Sequence, residues 1–268
     1  MTKRKLRAGI ASLVLAAALA SAMPALANAV PFTWNPAGAS PALGGSAFTA
    51  DTMHDSSFLR GVGQPDGSSL AHHIDVITGF SLNGSPVTPV GFGTAYGLYF
   101  DLTDISTFGA PPEVIHFSSG SMVLKADPGN HNGAVSATVD GIGFANTGPT
   151  GEADDIVLAT GSIVFASSNL DLATNVLDVH FVDTITPAPG QAGFFQSPVL
   201  DGSIFLDLFF SQPFDFDMAT LPDGTPVTTF NGLPDTARLV APEPASIALL
   251  GTGLLGLLPL SRRSRRSP

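Results

Sequence analysis

Residues 175–185 read NVLDVHFVDTI, and their alternation decides the fold class. Leu177, Val179, Phe181 and Ile185 fall on one side of an extended chain, while Asp178 and His180 fall on the other. A period of two is that of a half-buried β-strand; an amphipathic helix would repeat its apolar positions every three to four residues. Two further stretches share this period. In HIDVITGFSLN (73–83), Ile74, Val76, Phe80 and Leu82 occupy alternate positions with Thr78 between them. In GSIFLDLFFS (202–211), Ile204, Leu206, Leu208 and Phe210 alternate with Phe205, Asp207 and Phe209.

Weaker strand candidates are AYGLYFDLT, EVIHFSSGSMVLKA, GAVSATVDGIGFA, DIVLATGSIVFAS and PVTTF. Between the runs stand QPDGSS, LNGSPVTP, DPGNHNG, NTGPTGEADD and LPDGTP, which place Gly, Pro, Asn and Asp where turns need them. Many short strands with this punctuation predict an all-β body, a single antiparallel sandwich or jelly-roll-like domain over residues 30–240. Gly and Pro make up about 19% of the chain, below the roughly 25–30% of low-complexity sequences. No repeat of fixed period points to a solenoid or propeller.

Charge is concentrated at the ends. Of 11 Lys and Arg in 268 residues, four lie in the first seven residues and four in the last seven. Arg60, Lys125 and Arg238 are the only bases between them, against 21 acids, so the body carries about −18. Such a body repels phosphate backbones, which argues against nucleic acid as a partner. The chain has no cysteine, which excludes disulfides, thiolate metal sites and a cysteine nucleophile.

Both ends read as addresses. Residues 1–29 have the three parts of a secretory signal: Lys3, Arg4, Lys5 and Arg7, an apolar stretch from Ala8 to Ala20, and small residues at Ala25, Ala27 and Ala29 after Pro24. Cleavage is expected after Ala27 or Ala29 by a signal peptidase, following export through the Sec translocon. At the other end Ala245–Leu260 is uncharged, spans roughly 24 Å as a helix, and is followed by Arg262, Arg263, Arg265 and Arg266. Those arginines would stop translocation and remain cytoplasmic, leaving the body at the outer face of the inner membrane. Pro242-Glu243-Pro244 then lies just outside, held extended by its prolines.

The order Pro242-Glu243-Pro244-Ala245-Ser246, apolar helix with Gly251 and Gly253, and terminal arginine cluster resembles the PEP-CTERM sorting signal, over residues 241–268. The resemblance implies an exosortase substrate of a Gram-negative bacterium, recognised and cut near the triplet and moved to the cell surface or extracellular matrix. A plain tail anchor is the alternative. FTWNPAG, FTADTM, VITGFSLNG and AYGLYFDLTD are also similar to the flocculation-associated subgroup of these proteins. That similarity implies a role in aggregation or biofilm through extracellular polysaccharide.

Nothing in the body spells out catalysis. His72-His73 would point to opposite faces of a strand and reads as a surface or strand-edge pair, and there is no His-Glu-x-x-His. No Gly-x-Ser-x-Gly elbow and no phosphate cradle opens a helix. The expectation is a non-enzymatic protein without a cofactor. Asp154 and Asp155 in GEADD, and Asp215 and Asp217 in DFDMATLPDG, are weak calcium candidates. Trp34, Tyr96 and Tyr99 are the candidates for glycan contact, with a core role favoured for Trp34. A secreted polysaccharide hydrolase and a calcium-dependent adhesion module are the alternatives for the body.

Overall fold

The structure, a computed structural model, describes residues 29–108, 115–145, 151–171, 173–174, 176–213 and 217–241. The residues up to 28 expected to form a signal peptide, the Pro-Glu-Pro triplet, the apolar stretch expected to be a helix, the arginine cluster and Asp215 lie outside the described residues. Among the described residues no helix is long and apolar enough to cross a membrane. Residues Ala29–Val240 form one compact unit.

The unit is a closed barrel of eight antiparallel strands. In chain order these are β3 (Thr52–Gly63), β4 (Ser68–Leu82), β6 (Tyr96–Phe108), β7 (Ile115–Pro128), β10 (Ile156–Asp171), β11 (Val176–Thr184), β14 (Phe205–Pro213) and β16 (Pro226–Val240). Hydrogen bonding runs β11-β14-β16-β3-β4-β6-β7-β10, and β10 pairs again with β11. This last pairing corrects the expected sandwich or jelly roll: one sheet closes on itself instead of two sheets stacking. Closure depends on the length of β10. Its residues Ile156–Ser162 pair with β7, and Ile163–Asp171 pair with β11, with bulges in both ladders. At Gly161 a Cβ would overlap the Thr184 carbonyl oxygen, so glycine lets the chain pass at the point where the partners change.

Shorter elements dress the barrel. β5 (Ser85–Val87) pairs β4, β12 (Thr186–Pro187) pairs β10, and β15 (Asp217–Thr220) pairs β16. A separate sheet of β1 (Phe32–Trp34), β2 (Phe48–Ala50) and β13 (Phe195–Ser197), with the single-turn helix α1 (Pro36–Ala39), packs on the end of β4. Its contact is aromatic: Trp34 lies 6.1 Å from Phe80 and 5.1 Å from Phe194 between ring centres, and Phe48 lies 4.8 Å from Phe80.

The hairpin of β8 (Val135–Ala137) and β9 (Ile142–Phe144) lies on the outside of the barrel, where Ile74, Tyr99 and Val135 form a core with Phe58, Val76, Ile142 and Phe144. Asn231 clamps it by two bonds to the Ala137 backbone (2.7 and 2.9 Å), and Arg60 donates to the Val139 carbonyl (2.8 Å).

This hairpin inverts the expected reading of β4. Ile74 and Val76 are apolar yet face outward, because the hairpin covers them, while His73 and Asp75 point into the barrel. On β11 and β14 the simple pattern holds: Leu177, Val179, Phe181, Leu206 and Leu208 are buried. Elsewhere the outward face carries His72, Asp101, Asp178, Asp207 and Arg238 beside the exposed apolar Leu70, Ile105 and Phe209.

Candidate functional site

Two polar clusters are built by this frame. The first fills the barrel. Eight strands leave an interior just wide enough for side chains. Here Asp55 and Ser57 from β3, His73 and Asp75 from β4, Asp104 and Ser106 from β6, Asp183 from β11 and Asp235 from β16 are all buried. His73 Nε2 meets Asp104 Oδ2 at 2.7 Å, and Ser57 donates to Asp235 at 3.2 Å. Among the described residues, both carboxylate oxygens of Asp55 and of Asp183 find no hydrogen-bond partner.

Burial of so many acids moves their titration. Burial raises Asp55, and the Asp235 and Asp75 charges add to it. Burial likewise raises Asp75 against the opposing His73 charge, and raises Asp235 with help from Asp75. Asp183 is pushed up to about 7, first by burial and then by Asp75, with His73 opposing. For His73 burial acts downward, but the Asp104 hydrogen bond and the charges of Asp104, Asp75 and Asp183 together raise it. The interior is therefore a proton-holding network around one ion pair.

A cavity of about 40 Å³ adjoins it, lined by Ser69, His73, Asp104 and Ser106 and by apolar groups such as Phe117 and Phe181. That is room for roughly two or three waters, not for a sugar ring. His73 is paired with Asp104, and Ser69 and Ser106 line the same cavity. The expected surface or strand-edge reading of the histidine pair holds for His72 alone. It is part exposed and meets the outward Asp101 at 2.9 Å, whereas His73 is 5% exposed.

The second cluster lies on the outer wall where β7 and β10 meet. Asp127 sits near the end of β7, Asp154 closes the 3-10 turn Gly151–Asp154, and Asp155 immediately precedes β10. One carboxylate oxygen from each of the three lies within 4.8 Å of the others. The turn after β7 takes Asn130 into the left-handed region (φ 52°). This folds the backbone N–H groups of His131 and Asn132 back onto Asp127 (3.0 and 2.9 Å). The Asn132 side-chain amide reaches Asp155 at 3.0 and 3.2 Å, and the Tyr99 hydroxyl donates to the same carboxylate. Burial raises Asp155, Tyr99 and Asn132 lower it, the Asp127 charge raises it, and the balance is upward. Lys125 is held by Asp101 at 2.6 Å.

The sequence-derived candidates are placed as follows. Asp154 and Asp155 come together, joined by Asp127, which sequence reasoning missed. The signal for it was DPGN, a turn that folds back on its first residue. Asp217 lies apart in β15 and is exposed. Trp34, Tyr96 and Tyr99 are 1%, 0% and 2% exposed, and their rings pack against neighbours such as Phe80, Phe92 and Phe144. Ala29 bridges Val240, and Val30 donates to the Leu239 carbonyl at 2.7 Å. The two ends of the described body are thus paired with one another.

Comparison with known proteins bears on the C-terminus. The PEP-CTERM protein-sorting motif matches residues 240–266, beginning on the last residue of β16. The chain carries this motif, which implies processing by exosortase and export to the surface or extracellular space by way of a membrane anchor. No curated protein and no solved structure matches the chain.

Proposed function

We propose that the chain is a surface-displayed matrix protein of a Gram-negative bacterium. It acts by adhesion rather than catalysis and contributes to aggregation, flocculation or biofilm associated with exopolysaccharide. The observation that carries this reading is the sorting motif at residues 240–266 directly after the last barrel strand. The delivery address and the body are continuous, so the barrel itself is the cargo. In this reading the Sec translocon and a signal peptidase act on residues 1–29. Exosortase then acts on Pro242-Glu243-Pro244, with Arg262, Arg263, Arg265 and Arg266 as the stop.

Two features support adhesion over hydrolysis. The cavity beside His73 and Asp104 is far below the roughly 300 Å³ of a small ligand pocket. The barrel is closed on itself and the body is acidic overall, suited to many weak contacts within a hydrated polymer.

The test is a deletion strain complemented with the wild-type gene or with Pro242, Glu243 and Pro244 all changed to alanine. The wild-type gene restores aggregation and places the protein in the surface fraction; the triple variant stays in the inner membrane and does not restore aggregation. Unchanged aggregation in the deletion strain overturns the adhesive role, and surface release of the triple variant overturns the sorting role.

A further inference from the structure

We propose that the cavity beside His73 and Asp104 binds the acetamido group of an N-acetylated amino sugar, with the sugar ring left outside at the barrel mouth. The inference rests on the polysaccharide partner proposed above and names the chemical group that the barrel grips. Ser69 and Ser106 stand opposite each other in the β4–β6 ladder, near the turn from β3 into β4, and both line the cavity. Ile115 and Thr228 line it at the same end and are half-buried, so the cavity reaches solvent there. His73 and Asp104 lie further in along the same two strands and are 5% and 2% exposed. His73 Nε2 meets Asp104 Oδ2 at 2.7 Å, which leaves Nδ1 as the ring's other polar atom. Asp104 Oδ1 is buried without a partner among the described residues. A buried acceptor without a donor is costly, and a ligand N–H that reaches it recovers that cost.

Three demands select the ligand. Asp104 Oδ1 needs a donor. His73 Nδ1 is a donor or an acceptor according to its protonation and needs a partner of the opposite kind. The Phe117 and Phe181 rings on the wall need an apolar contact. A secondary amide that carries a methyl group meets all three, with its N–H, its carbonyl and its methyl; water meets only the first two. A volume of about 40 Å³ is room for roughly two or three water-sized groups, which admits the methyl and carbonyl of an acetyl group but not a ring. Charge at the mouth then narrows the polymer. Asp66 in the β3–β4 turn, Asp171 at the end of β10 and Asp223 in the turn before β16 are exposed at this end. The Ser68 hydroxyl, the Ala173 N–H and the Thr225 N–H hold their carboxyls below the ordinary value. An anionic mouth repels uronate or sulfated chains and leaves a neutral N-acetylated chain free to approach.

Full-length protein in mild detergent is titrated by calorimetry with a chitin tetramer, with the same tetramer fully deacetylated, and with a tetramer of galacturonic acid. Physiological salt screens the exposed acids. The N-acetylated tetramer is expected to bind with a saturable heat, the deacetylated one about tenfold more weakly or worse, and the uronate not at all. With isotope-labelled acetyl groups, the bound methyl resonance moves upfield under the Phe117 and Phe181 rings. Ser106→Leu fills the cavity and Thr228→Phe narrows its mouth; each abolishes the heat and the shift, while His72→Ala on the outer face leaves both. Thr228→Phe, at a half-buried position, keeps the test decisive where Ser106→Leu fails to fold. Equal binding of the acetylated and deacetylated tetramers overturns the site, as does a folded Thr228→Phe variant that binds like wild type. If the site fails while the protein still co-sediments with exopolysaccharide, the adhesive reading stands without it. If the N-acetylated tetramer binds as expected but a deletion strain aggregates normally, the site stands and the adhesive role falls.

Discussion

Replacing Asp183 by asparagine removes one ionisable group from the barrel interior while keeping its shape. In the folded chain the Asp183 carboxyl is pushed up to about 7 from 3.8, chiefly by burial, and both its oxygens lack partners among the described residues. A raised acid favours the proton-bound folded state. Below 3.8 both states hold the proton and there is no penalty. As pH rises from there, the unfolded chain ionises first and stability falls, until the folded group ionises near 7 and the loss levels off. About three pKa units at about 1.36 kcal/mol each give a loss of about 4 kcal/mol between pH 4 and pH 8. The asparagine side chain of the variant does not ionise and has no such slope.

The raised Asp55, Asp75, Asp235 and His73 slope in the same direction, so wild type is most stable in mild acid and the variant flattens part of that profile. Urea denaturation at pH 4, 6 and 8, read by fluorescence of the sole tryptophan, Trp34, measures it. Relative to wild type, Asp183→Asn gains about 4 kcal/mol more at pH 8 than at pH 4. Parallel profiles for the two proteins would refute the account of a proton-holding interior.

Other consequences are sharper in geometry than in titration. Gly161→Ala forces a Cβ into the Thr184 carbonyl and should cost about 3 kcal/mol by chemical denaturation. Gly143→Ala, where a Cβ meets nothing within 4 Å, should change stability by under about 1 kcal/mol. Trp34→Ala opens the aromatic cluster of Phe32, Phe48, Phe80 and Phe194 and should cost about 3–5 kcal/mol, followed by circular dichroism. It should leave binding to exopolysaccharide unchanged, since the ring faces no solvent. Loss of binding by a fully folded variant would contradict that placement.

The strand period was legible because alternation is a local property of the chain. Val176–Thr184 form the strand that the alternation suggests, with Leu177, Val179 and Phe181 inside. The closing of the sheet was not legible, because sandwiches and barrels share the period and differ only in which edges pair. That choice lies in the two-sided pairing of β10 and in the room left at Gly161.

The facing of β4 is inverted for a related reason. Apolar residues mark a covered face, and here a hairpin more than fifty residues further along the chain supplies the cover for Ile74 and Val76. The inward face was free to carry His73 and Asp75, whose partners Asp104 and Ser57 sit on other strands. Asp154 and Asp155 were visible as neighbours in sequence; Asp127 joins them only through the β7–β10 ladder.

The central claim is that the tail after Val240 is a sorting address that is cut near its Pro-Glu-Pro triplet. Mass spectrometry of the mature C-terminus, taken from protein in the surface fraction, tests it most directly. The account predicts a C-terminus within or beside Pro242-Glu243-Pro244, with the apolar segment and the arginines gone. A surface protein that still ends at Pro268 would contradict it.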